Sequence, residues 1–152
     1  DNCALPNALL DVYGDTLWNR VQWYDPLGGV NKWKQYYTDW GSSLNDLTNV
    51  DHKMGLWVNV TTLGDGFITI EGRVPTCTSI VLYAGWNMVG YPTLNTTMTV
   101  ANAFGGTGAD LVEAPDPSQP YGTKVVGPTY AMKPGEGYWV HVPVGSTWTV
   151  NW

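Results

Sequence analysis

Charge is scarce in this sequence. Only 13% of its 152 residues are Asp, Glu, Lys or Arg, and the net charge is −6. The basic residues, Arg20, Lys32, Lys34, Lys53, Arg73, Lys124 and Lys133, are too few and too scattered to neutralise a phosphate backbone, so nucleic acid is excluded as a partner. Long apolar runs are missing as well, which excludes a membrane-spanning helix. "DNCALPNALL" carries no basic stretch followed by an apolar run, so any secretory leader is expected to have been removed. Histidine is limited to His52 and His141, and no His-x-x-x-His or Cys-x-x-Cys spacing is present to hold zinc. Three glutamates, Glu71, Glu113 and Glu136, give a glycosidase-type acid/base pair few candidates, and no Gly-x-Ser-x-Gly elbow or phosphate-cradling loop occurs. The chain therefore reads as non-catalytic. Asp11, Asp15, Asp25, Asp39, Asp46, Asp51, Asp65, Asp110 and Asp116 fall in or near loops without Asp-x-Asp-x-Asp spacing. They read as solvated turn residues; no cofactor is expected, and calcium stays open without a located site. The two cysteines, Cys3 and Cys77, form either one disulfide or two reduced thiols; the disulfide is expected, in keeping with a location outside the cell.

What the chain does have is turn formers and aromatics: 18 Gly, ten Pro, nine Trp and nine Tyr within a 43% apolar composition. That mixture predicts a mainly β protein and argues against a helix bundle.

The two halves repeat. "GLWVNV" at Gly55 falls on "GYWVHV" at Gly137, an offset of 82, which also sets Val50 on Met132. Upstream, "VQWYDP" from Val21 falls on "VEAPDP" from Val112, and "YGDT" from Tyr13 on "FGGT" from Phe104, both at an offset of 91. The drop from 91 to 82 means that the first copy carries nine additional residues between its Asp-Pro and its Gly-apolar-Trp. We read residues 1–72 as a first unit and 73–152 as a connecting strand plus a second unit, packed as one body, sandwich- or barrel-like, with one short helix per unit. Leu9 to Tyr13 and Val100 to Phe104 read as those helices, each closed by a glycine. Strands are expected at residues 21–24, 56–62, 67–71, 79–83, 86–90, 111–113, 138–142 and 147–152, and "LGDG" and "PVGS" as hairpin turns. The second copy opens with Gly85-Trp86-Asn87. Its counterpart in the first copy would precede residue 1, so the expectation is either that a longer protein is cut there or that the copy borrows a strand from elsewhere in the chain or from a neighbour.

Two patterns, Asn59-Val60-Thr61 and Asn95-Thr96-Thr97, are N-glycosylation acceptors. Trp57 and Trp139 are equivalent and Trp86 belongs to the opening motif, so these three are expected to fasten the core. Trp33, Tyr36, Tyr37 and Trp40 fall where the first copy is longer, and with Trp18 and Trp23 they read as either an outward platform for sugars or subunits or as packing over an open end.

"GWNMVGYP" followed by "MKPGEGYWVHV" resembles the Gly-Trp-Asn repeats found in tandem in secreted and cell-surface proteins, many of them archaeal. The resemblance covers residues 81–152 well and 5–72 more loosely, with Leu56 standing where the second unit has Tyr138. It implies an extracellular, non-catalytic β module. The expectation drawn is a structural subunit that polymerises with itself into a coat, sheath or filament by strand sharing. The alternative is a module that binds cell-surface glycans within a larger secreted protein.

Overall fold

Trp18, Val21 and their neighbours extend as β1 (Trp18–Tyr24), which pairs antiparallel with β2 (Trp33–Tyr37) on one side and β3 (Trp57–Val60) on the other. The computed structural model describes residues 4–10, 17–61, 75–119 and 121–152. Beyond the first sheet these residues form β4 (Cys77–Leu82), β5 (Gly85–Gly90), α1 (Val100–Phe104), β6 (Leu111–Pro115), β7 (Thr123–Val125), β8 (Gly137–Val142) and β9 (Ser146–Asn151). A second sheet has the order β5-β8-β6-β7 and a third pairs β4 with β9, all antiparallel. The chain is mainly β, and no sheet closes into a barrel among the described residues.

The repeat is visible in this topology, since β2-β1-β3 has the same order as β7-β6-β8. Its turns match in detail. Asp25 Oδ1 accepts from Leu27 N at 2.9 Å, and Asp116 Oδ1 accepts from Ser118 N at 3.0 Å, the same Asx turn 91 positions later. Each turn closes a hairpin whose second strand, β2 or β7, the sequence pattern did not reveal. Because β2 corresponds to β7, Trp33 belongs to the shared hairpin, and the first copy's additional residues follow it.

Alternation decides what is buried. Val112 and Ala114 on β6, Tyr138, Val140 and Val142 on β8, and Val89 on β5 turn inward to meet α1, Trp148 and Val150. Each fully buried valine contributes on the order of 1.5 kcal/mol. Leu5, Leu9, Trp18, Val21, Leu47 and Val50 build a smaller cluster under the first sheet. Helix α1 starts at Thr99, whose side chain accepts from Asn102 N, whereas the first copy shows only a 3-10 turn at Asn7–Leu9 in the described residues.

Three expectations are corrected or left outside the described residues. "PVGS" is not a hairpin turn: β5 and β6 occupy both edges of β8, so the chain after Val142 leaves that sheet and pairs with β4 as β9. The strand at 67–71 and the "LGDG" turn lie outside the described residues. No strand covers the edge of β3 away from β1 among the described residues.

Gly-Trp-Asn is the crossing point between sheets. Gly85, at φ 97, turns the chain from β4 into β5. Asn87, 2% exposed, closes that turn by accepting from Tyr83 N at 2.8 Å and donating to Tyr83 O at 2.8 Å, Gly85 O at 3.1 Å and Val140 O at 3.3 Å. Downstream on β5, the two copies join. Gly55 N donates to Met88 O and Gly90 N to Lys53 O, so residues 53–55 run along the free edge of β5 just before entering β3. A Cβ on Gly55 would stand 2.7 Å from Val89 O, and one on Gly137 would stand 2.9 Å from the Cα of Gly55, its own repeat equivalent.

Candidate functional site

The outward faces of the first two sheets meet in an open cleft of about 420 Å³ lined by Tyr24, Trp33, Trp57, Trp86, Glu113, Tyr121, Thr123 and Trp139. Both copies contribute, and strand parity explains how. Trp57 shares its side of β3 with Asn59, and Trp139 its side of β8 with His141, opposite the inward Tyr138, Val140 and Val142. The expectation that Trp57, Trp86 and Trp139 fasten the core is therefore corrected: all three are half-buried on the outer faces.

The rings are held by one another. Trp139 meets Tyr24 edge to face at 5.0 Å, Trp33 at 5.7 Å and Trp86 at 6.2 Å between centroids, while Trp57 and Tyr121 lie tilted to each other at 6.1 Å. Such edge-to-face pairs add about 0.5–1.5 kcal/mol each beyond burial and fix ring planes before any ligand arrives. Tyr121 sits at φ 60, a left-handed conformation unusual for a residue with a Cβ, and its hydroxyl donates to Asn59 Oδ1. That backbone cost, on the order of 1 kcal/mol, places its ring at the mouth of the cleft.

Polar groups border the rings in equivalent pairs. In the first copy Asn59 Nδ2 donates to Asn19 Oδ1 at 2.6 Å, and in the second His141 Nδ1 meets Asp110 Oδ1 at 2.6 Å, each pair occupying matching positions. Opposite Trp57 across the ladder stands Gln22; opposite Trp139 stands Glu113. Glu113 Oε2 accepts from Thr123 Oγ1 at 2.6 Å. The hydrogen bond to His141 holds the Asp110 carboxyl below its ordinary value.

The six aromatics singled out near the longer segment separate. Only Trp33 reaches the cleft. Trp18 is 2% exposed, its Nε1 donating to Leu9 O at 2.7 Å, so it is a core residue rather than part of a surface platform. Tyr36 packs edge-on against Trp18, and Trp23 Nε1 donates to Met88 O across the junction of the copies. Tyr37 and Trp40 stack on each other at 3.8 Å, with Arg20 5.7 Å from the Tyr37 ring. The hydrogen bond from Arg20 Nη1 to the Tyr37 hydroxyl, 3.2 Å, raises the guanidinium's pKa further.

Of the acceptor patterns, Asn95 lies exposed in a loop, its Oδ1 accepting from Thr97 N and Oγ1 and its amide nitrogen making no hydrogen bond among the described residues; Asn59 is on a strand with its amide engaged by Asn19. Cys77 is exposed on β4, and its pairing with Cys3 lies outside the described residues. No group of three His, Cys, Asp or Glu side chains converges among the described residues, and none of their helices is long and apolar enough to cross a membrane. Sequence reasoning missed Tyr24, Glu113, Tyr121 and Thr123 as site residues. For Glu113 a signal was present, since it aligns with Gln22 next to equivalent tryptophans.

Comparison with protein-family models, with curated proteins and with solved structures finds no match, so the functional reading rests on this geometry.

Proposed function

We propose that the chain is a non-catalytic extracellular module that binds glycans in the cleft between its two repeats. The observation that carries this reading is the convergence of six aromatic rings from both copies on one open cleft, beside side chains able to hydrogen-bond hydroxyls. A pyranose offers an apolar C–H face and a rim of hydroxyls; flat rings bury the first and Glu113 and Thr123 suit the second. Among the described residues, the cleft indoles of Trp33, Trp57, Trp86 and Trp139 make no internal hydrogen bond, as is also true of Trp40 and Trp148, whereas those of Trp18, Trp23 and Trp152 do. Being on the open cleft, the first four have N–H groups within reach of a ligand. The resemblance to Gly-Trp-Asn repeats of cell-surface proteins agrees with this location.

Calorimetric titration with neutral oligosaccharides tests the reading. Trp139→Ala and Trp57→Ala are expected to weaken binding roughly tenfold or more, while Trp40→Ala, in a separate stack, leaves it unchanged. Failure of the unaltered protein to bind any glycan at millimolar concentration, neutral or charged, overturns it.

A second reading, self-assembly by strand addition, is favoured by the edge of β3, which carries no partner strand among the described residues and ends in the exposed Val60. Sedimentation velocity tests it. Assemblies of many chains support polymerisation, and a single species of one chain's mass contradicts it.

A further inference from the structure

The two halves of the cleft are built from equivalent positions but differ in charge, and that difference bears on which glycan is taken. This inference rests on the glycan-binding reading. Around Trp57 the first copy places Gln22 and the Asn19–Asn59 pair, all neutral. Around Trp139 the second copy places Glu113 at the position of Gln22, and the mutually bonded Asp110–His141 pair at that of Asn19–Asn59. Among the described residues Glu113 forms no ion pair, and its one side-chain hydrogen bond comes from the neutral Thr123. None of the eight residues lining the cleft is basic; two cations stand at its rim, Lys32 with Nζ 5.5 Å from the Tyr24 ring centroid and Arg20, on the Trp57 side and away from Glu113's ladder partner Trp139, with Cζ 5.8 Å from that of Tyr121. A carboxylate flanked by the negative faces of Trp rings repels anions and favours a cation that also presents an apolar face.

We propose that the cleft selects an amino-sugar glycan, with the sugar over Trp139 carrying a protonated amine that Glu113 receives, and the adjoining neutral sugar lying over Trp57. In mildly acidic solution the sugar amine is a three-donor ammonium, and a charge-assisted hydrogen bond to Glu113 exceeds what a neutral acetamide at the same position can make. A uronate glycan would set its carboxylate against Glu113 and bind least.

The experiment is a calorimetric titration of the intact protein in mildly acidic buffer, at low and moderate salt, with three probes of equal length: a glucosamine hexamer, its fully N-acetylated form and a galacturonate hexamer. The expected result is about tenfold tighter binding of the amine form than of the acetylated one, a gap that narrows as salt rises. Glu113→Gln should bring the ratio of the two affinities to about one, and Gln22→Glu should widen it. Equal affinities in the unaltered protein, or a ratio that Glu113→Gln does not change, overturn this inference while leaving the glycan module standing. Absence of binding by all three probes and by neutral glycans overturns both.

Discussion

At the scale of single residues, the polar side chains inside this protein are placed where the backbone changes direction. Asn87 satisfies four backbone groups at the crossing from β4 to β5, and truncation would strand them in a buried site. Asn87→Ala is therefore expected to cost on the order of 3 kcal/mol, measured as a fall in the denaturant midpoint. Asp110 acts at the surface and through charge. Its pKa is lowered in the folded state, so its bond to His141 supports the fold above the unfolded carboxylate value of about 3.9 and loses that contribution as pH falls through the folded value. A carbon-13 titration of the Asp110 carboxyl should give a midpoint below that of the unfolded chain, and His141→Ala should move it back towards the ordinary value. Tyr138 lies in the opposite direction: burial pushes its hydroxyl pKa up, and that hydroxyl accepts from Lys133 N and donates to Glu136.

At the scale of elements, strand parity decides which aromatic is core and which is site. The alternation of β8 was legible in the sequence, since Trp139 shares parity with His141 and not with Val140 or Val142. Equivalence between Trp57 and Trp139 suggested a structural role, yet parity placed both outward. β1, β3, β4, β5, β6, β8, β9 and α1 could be read from the apolar pattern. β2 and β7 could not, because one is short and the other is rich in Lys, Gln and Tyr, and both are defined by pairing across an Asp-Pro turn. The close approach of residues 53–55 to β5 was likewise hidden, because it depends on glycines distant in sequence. Gly55→Ala is expected to destabilise by roughly 1–3 kcal/mol, because its Cβ would press on Val89 O and open this edge. Gly127→Ala, with nothing within 4 Å of the added atom, should leave the thermal midpoint unchanged.

At the scale of the whole molecule, duplication supplies two similar sheets whose outer faces meet, and divergence between the copies gives the meeting place its chemistry. Trp57 and Trp139 are retained in both; Gln22 and Glu113, and Asn59 and His141, are not. The sequence contained all these correspondences, but not the close approach of Gly55 to Gly137 that, with the bonds of Gly55 and Trp23 to Met88, joins the copies and brings the equivalent tryptophans to one cleft. The central claim is that this cleft is where a glycan binds, and the most direct measurement is the set of indole N–H signals in a nitrogen–proton correlation spectrum during titration with a glucosamine oligosaccharide. The signals of Trp33, Trp57, Trp86 and Trp139 are predicted to move together with one dissociation constant, while those of the buried Trp18 and Trp148 stay in place. No movement of the four cleft indoles, or movement confined to Trp40, would contradict it.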